Sequence, residues 1–122
     1  IVNISSILGL IPAPFMGGYS PAKAAALFLS SITRSELADQ GTEVIALIVG
    51  SVDTRMAGHV QGRKEDPRDV VRAGLDALDR GEHVADTDFM AIDARARYAR
   101  DPARYERGMT KLLKATVMDT GR

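Results

Sequence analysis

Val44-Ile45-Ala46-Leu47-Ile48-Val49 is an unbroken apolar run, rich in β-branched residues and closed by Gly50. A strand that is apolar at every position is covered on both faces. Such strands belong to parallel sheets flanked by helices. Upstream, residues 22–38 keep a helical period, with Ala26, Leu29, Ser30, Thr33 and Leu37 on one stripe. Ser20 stands as its N-cap, Pro21 in its first turn and Gly41 as its stop. The small side chains of Ala24, Ala25, Ala26, Ser30 and Ser31 allow a sheet or a second helix to come close. Before that helix, Ile1-Val2-Asn3-Ile4 reads as another buried parallel strand. Strand, crossover helix and strand form a βαβ unit. The expected fold class is therefore α/β, a Rossmann-like doubly wound parallel sheet.

Downstream the pattern continues. Asp66-Pro67-Arg68-Asp69 starts a helix with Val70, Val71, Gly74, Leu75 and Leu78 on its apolar face, ending at Gly81. His83-Val84-Ala85 is a candidate third strand. Two charged helices follow, over residues 89–100 and 102–118, the second capped by Asp101. Residues 7–18 read as a loop with exposed apolar side chains, suited to cover a pocket or a partner. Residues 50–65 read as a long polar loop at a strand end, where ligands are commonly held.

The 122 residues fit one domain, and 45% hydrophobic with 26% charged is ordinary for a globular protein. Lys plus Arg and Asp plus Glu total 16 each. That balance asks for neither nucleic acid nor an anionic membrane, and it leaves self-association open. The absence of cysteine excludes disulfides and thiolate metal sites and suits a reducing cytoplasm. No apolar run approaches the roughly 18 residues of a membrane span. Only Lys23, Arg34, Glu36, Asp39, Glu43 and Asp53 carry charge before residue 55, so interior or interface is expected there and solvated helix beyond. The chain opens on Ile1, inside an expected strand and without an initiator methionine. Residues 1–122 are accordingly expected to be the C-terminal part of a single Rossmann-like domain.

Tyr19-Ser20-Pro21-Ala22-Lys23 carries the chemistry. A tyrosine and a lysine four residues apart at a helix start share one face. The ammonium, with the positive end of the helix, favours the phenolate, so the tyrosine can exchange a proton with an alcohol or carbonyl oxygen. Ser6, thirteen residues before Tyr19 at a strand end, can hold that oxygen. The bland alternative is an aromatic at a helix start with a solvated lysine one turn on.

Ile-Val-Asn-Ile-Ser-Ser, then Tyr-Ser-Pro-Ala-Lys at this spacing, then a strand ending in Gly50-Ser51-Val52-Asp53-Thr54, resembles the short-chain dehydrogenase/reductase family. The likeness is close over residues 1–54 and looser over residues 67–85. It implies an NAD- or NADP-dependent oxidoreductase interconverting a secondary alcohol and a ketone, or an alcohol and its aldehyde. By that resemblance the catalytic residues are Ser6, Tyr19 and Lys23, Ser6 orienting the substrate oxygen and Tyr19 acting as general acid/base. The cofactor would be held by Tyr19, by Lys23 at the ribose, and by the segment from Gly50 at the nicotinamide end, with the Val52 backbone at the carboxamide and Thr54 near the carboxamide or pyrophosphate. The family usually has proline where Val49 stands. Its glycine-rich phosphate loop, ribose-selecting residue and catalytic asparagine are not found in this sequence, so these 122 residues alone should be inactive. The resemblance further implies a homodimer or homotetramer, for which the small-residue face of the first helix is suited.

Other residues rank lower. His59 and His83 lack partners at ligand spacing, so no metal is expected. Arg95, Arg97, Arg100, Arg104 and Arg107 alternate with Asp93, Asp101 and Glu106, a solvated helix face rather than an anion site. Phe15, Met16 and Met56 are placed by their loops either at a substrate pocket or in ordinary packing. Ser5 is set aside by its spacing. A Ser6–Lys23 hydrolase has no nucleophile elbow here. The rival of another class is a non-catalytic chain whose apolar first half is an oligomerisation or partner surface.

Overall fold

The computed structural model describes residues 1–119. Three short parallel strands, β1 (Val2–Ile4), β2 (Ile45–Ile48) and β3 (Val84–Asp86), lie in the order β1-β2-β3. Helix α1 (Tyr19–Glu36) joins the first pair and α2 (Pro67–Asp79) the second. Helices α3 (Phe89–Arg100) and α4 (Pro102–Asp119) follow. The expected element order is observed throughout.

Strand β2 is the centre, buried at all four positions. Its alternate side chains serve two cores. Ile45, Leu47 and Val49 meet Val70 and Ala77 of α2 and Ala85 of β3. On the opposite face Ile48 meets Ile7, Ile11 and Ala91, with Leu27 of α1 and Tyr98 of α3 beside them. An all-apolar strand is thus what a helix–sheet–helix sandwich demands of its middle member.

Four expectations are corrected. Strand β1 is not buried on both faces, since Ile4 is 57% exposed and Val2 41%. Its Asn3 turns toward α1, whereas α2 packs over β2 and β3 and leaves Val2 and Ile4 uncovered. Helix α1 starts at Tyr19 with Gly18 as N-cap, so Ser20 is not the cap. The Ser20 N–H already bonds Met16 O at 2.9 Å, and its hydroxyl is buried without a partner among the described residues. The inward stripe of α1 therefore runs through Ser20, Leu27 and Ser30, and Leu29 faces out. In α2 the core positions are Val70, Gly74 and Ala77. Val71 and Leu75 lie a further 100° round the helix and stand about half exposed.

Asp66 caps α2, accepting from the Arg68 N–H at 2.7 Å with Pro67 at the first helical position. Asp101 caps α4 as expected, accepting from the Arg104 N–H at 2.9 Å.

Candidate functional site

The parallel ladder continues past the end of β1. The Ser5 N–H bonds Leu47 O at 2.8 Å and the Ile7 N–H bonds Val49 O at 3.0 Å. Ser6 is therefore held extended beside the end of β2, opposite Val49 and one position short of Gly50. Its hydroxyl oxygen accepts from the Leu8 N–H at 3.1 Å and opens a 3-10 turn, Ile7–Gly9. The hydroxyl hydrogen is left to donate elsewhere.

That turn lies hard against α1. A Cβ at Gly9 would stand 2.9 Å from the Lys23 carbonyl carbon and 3.1 Å from the Ala24 nitrogen. Only glycine lets the two backbones approach so closely. A second tie lies lower on the helix. Ser30, fully buried, accepts from Asn3 Nδ2 at 2.9 Å and donates to Ala26 O at 2.9 Å. Helix and strand are thus fixed against each other at two heights.

Tyr19 and Lys23 come together as the spacing requires. The Lys23 ammonium lies 5.6 Å from the centroid of the Tyr19 ring, a cation–π distance. It also reaches the carbonyl of Ile4, the last residue of β1, at 3.5 Å. Tyr19 is half exposed, with its ring open to incoming molecules.

Gly50, Val52 and Thr54 leave the end of β2 in one stretch. The Glu65 N–H bonds Ser51 O at 2.9 Å, and the Asp53 N–H bonds Glu65 O at 2.8 Å. A parallel bridge of that form uses the peptide groups on either side of Val52. The N–H and C=O of Val52 itself face away from Glu65, with no protein partner among the described residues. Thr54 sits in an exposed turn, its carbonyl accepting from the Ala57 N–H at 3.1 Å. Lys64 holds that turn through Ala57 O at 3.3 Å and Asp53 at 3.4 Å.

Ser6, Tyr19, Lys23 and the residues 50–54 turn therefore gather at the carboxyl ends of adjacent parallel strands, where open α/β sheets hold their ligands. Sequence reasoning missed two residues there. Lys64 offered no motif. Asp88, 38 positions from Gly50, accepts the Gly50 N–H at 2.8 Å. Met16 and Ser20 line an open cleft of about 300 Å³ between residues 8–13 and the start of α1, whereas Phe15 and Met56 project into solvent. His59 and His83 are exposed, and no group of three metal-ligating side chains occurs among the described residues. None of the described helices is long and apolar enough to cross a membrane.

Residues 1–65 match the sequence pattern of the short chain dehydrogenases. The chain belongs to the short chain dehydrogenase family. Similar members include an uncharacterized oxidoreductase of Staphylococcus saprophyticus, 34% identical over 87 residues, covering 69% of this chain and 37% of that protein. A short chain dehydrogenase from Burkholderia cenocepacia in complex with NADP superposes with a TM-score of 0.82 at 33% identity. That match covers 89% of this chain and 46% of the other. One from Sphingobium yanoikuyae in complex with NADPH gives 0.68 at 31% identity, covering 91% and 44%. This short chain dehydrogenase sequence thus spans less than half the length of each of these three relatives. Its parallel sheet is part of their Rossmann fold.

Proposed function

We propose that this chain carries the catalytic residues of a nicotinamide-dependent oxidoreductase that interconverts a secondary alcohol and a ketone, or a primary alcohol and an aldehyde. The observation that carries the reading is the Lys23 ammonium over the Tyr19 ring, on a helix held against the Ser6 turn by Gly9. In the oxidising direction Ser6 donates a hydrogen bond to the substrate oxygen. Tyr19 takes the hydroxyl proton as the C=O bond forms. Lys23 holds positive charge beside the phenolate that accepts it. NAD or NADP, when bound, takes up the hydride lost from the substrate carbon. Val52 offers one free N–H and one free C=O, the complement of a carboxamide, which fits the nicotinamide end. Lys23 has donors to spare for ribose hydroxyls, and Thr54 stands two residues beyond Val52. Two similar proteins are complexes with NADP or NADPH, which supports a nicotinamide cofactor here.

Partners follow from the same reading. They are a small alcohol or carbonyl compound and further copies of this chain, paired as a homodimer or homotetramer through the outer face of α1. The cytoplasm is the fitting compartment. The test is Tyr19→Phe in the full-length protein, assayed for NAD(P)H consumption against a panel of ketones and aldehydes. Turnover should fall by about 10²- to 10⁴-fold with the fold retained. Turnover near the parent level would overturn the assignment.

A further inference from the structure

Asp88 is a carboxylate only 7% exposed that the proposed chemistry leaves unused. Donors converge on both of its oxygens. Oδ1 accepts from the Ala91 N–H at 2.9 Å, capping α3. Oδ2 accepts from the Gly50 N–H at 2.8 Å, while the nearby Thr87 hydroxyl has the Ile48 carbonyl closer, at 3.1 Å, than Oδ2, at 3.3 Å. No basic side chain pairs with it among the described residues. A buried carboxylate is costly unless it is bonded. Here the two peptide donors and the positive end of α3 hold it. The fit at Gly50 is tight, since a Cβ there would stand 2.7 Å from Asp88 Oδ1 and 2.8 Å from Met90 Cβ.

We propose that Asp88 is a positioning residue for the turn that meets the nicotinamide, acting through the Gly50 amide. The inference rests on reading residues 50–54 as the cofactor turn. The free peptide groups of Val52 stand between two anchors. One is the bridge to Glu65 on the downstream side. The other is the Asp88–Gly50 bond upstream, which comes from the far end of β3 and ties the C-terminal helices to the site. If the second anchor is removed, the turn pivots on the first and the Val52 groups lose their fixed direction.

Asp88→Ser separates the two duties of the side chain. Serine remains a good N-cap for α3 but is too short to reach Gly50 as well. In the full-length protein its melting temperature should stay within about 5 °C of the parent, the shift expected for about one lost bond. The NADPH dissociation constant, read from its fluorescence, should rise about tenfold, one decade in affinity. The KM for cofactor should rise with it, and the KM for the carbonyl substrate should stay within about twofold. In the cofactor-free protein, amide exchange at Gly50 should speed up. If the serine variant fails to fold, Asp88→Asn supplies the same test, because its amide cannot cap α3 and accept from Gly50 together. Unchanged NADPH affinity in a folded variant would overturn the positioning role alone. A parent protein that binds neither NADH nor NADPH would overturn the oxidoreductase reading, and this inference with it.

Discussion

Gly9 shows how one residue sets the geometry of three. The atoms facing its missing Cβ are the Lys23 carbonyl carbon and oxygen and the Ala24 nitrogen, at 2.9, 3.0 and 3.1 Å. All are helix backbone and cannot step aside. In Gly9→Ala the turn must therefore move, and it carries Ser6 away from Tyr19 and Lys23. The expected cost is about 1–3 kcal/mol of stability, as for other overpacked contacts. kcat/KM in the full-length protein should fall at least about tenfold under conditions where the variant remains fully folded, because small misplacements of reacting groups are expensive. Activity equal to the parent in a folded variant would show that the Ser6 turn needs no such placement. Tyr19 and Lys23 were legible in the sequence because a four-residue spacing on a helix is a local fact. Gly9 and Asp88 were not, because what they touch lies 14 and 38 positions away. Only the folded chain brings those atoms together.

At the scale of elements, the existence of each helix and strand could be read, but the faces of several could not. Val70, Val71, Gly74, Leu75 and Leu78 form one apolar arc in α2. Choosing the buried part of that arc needed Leu47, against which Gly74 and not Leu75 is set. Ala77, small and unremarkable in sequence, is nearly inaccessible. Helix α4 is the least committed element, with no fully buried residue. Its main attachment is Tyr105, edge-on to Tyr98 with ring centroids 5.7 Å apart. Burial raises the Tyr105 phenol above its ordinary value, Arg97 opposes this, and Asp93 adds to it. A phenol harder to ionise in the folded state than in the unfolded one keeps its proton on folding. Its stabilisation is therefore complete below about pH 10 and is lost as pH rises through the higher folded value. Fluorescence and amide exchange in α4 should report loosening of the helix above about pH 10 in the parent. Tyr105→Phe should lose that alkaline step. An identical step in the variant would assign it to other groups.

At the scale of the whole molecule, the uneven charge noted along the sequence becomes uneven surface. The sheet's two cores were legible because β2 is apolar at every position. The outer side of α1 was not, since helical period alone does not say which stripe faces inward. Ser20, Leu27 and Ser30 point to the body, with Ser30 drawn in by its bond to Asn3. Phe28, Leu29 and Ile32 consequently face out at 75, 61 and 51% exposure, with Ala25 and Ala26 beside them. An apolar stripe bordered by small residues is suited to close helix–helix packing. The proposed association through α1 predicts that Phe28→Glu combined with Ile32→Lys yields a smaller species than the parent in sedimentation velocity. Both positions are exposed, so each change should alter the stability of the subunit by no more than about 0.5 kcal/mol. The double variant should keep its helical circular dichroism while its sedimenting mass falls at least about twofold, as loss of a two-fold interface requires. A parent that sediments as a monomer, or a variant that stays associated, would remove α1 as the interface. The second result would direct attention to Val71 and Leu75, which stand about half exposed on the outer face of α2.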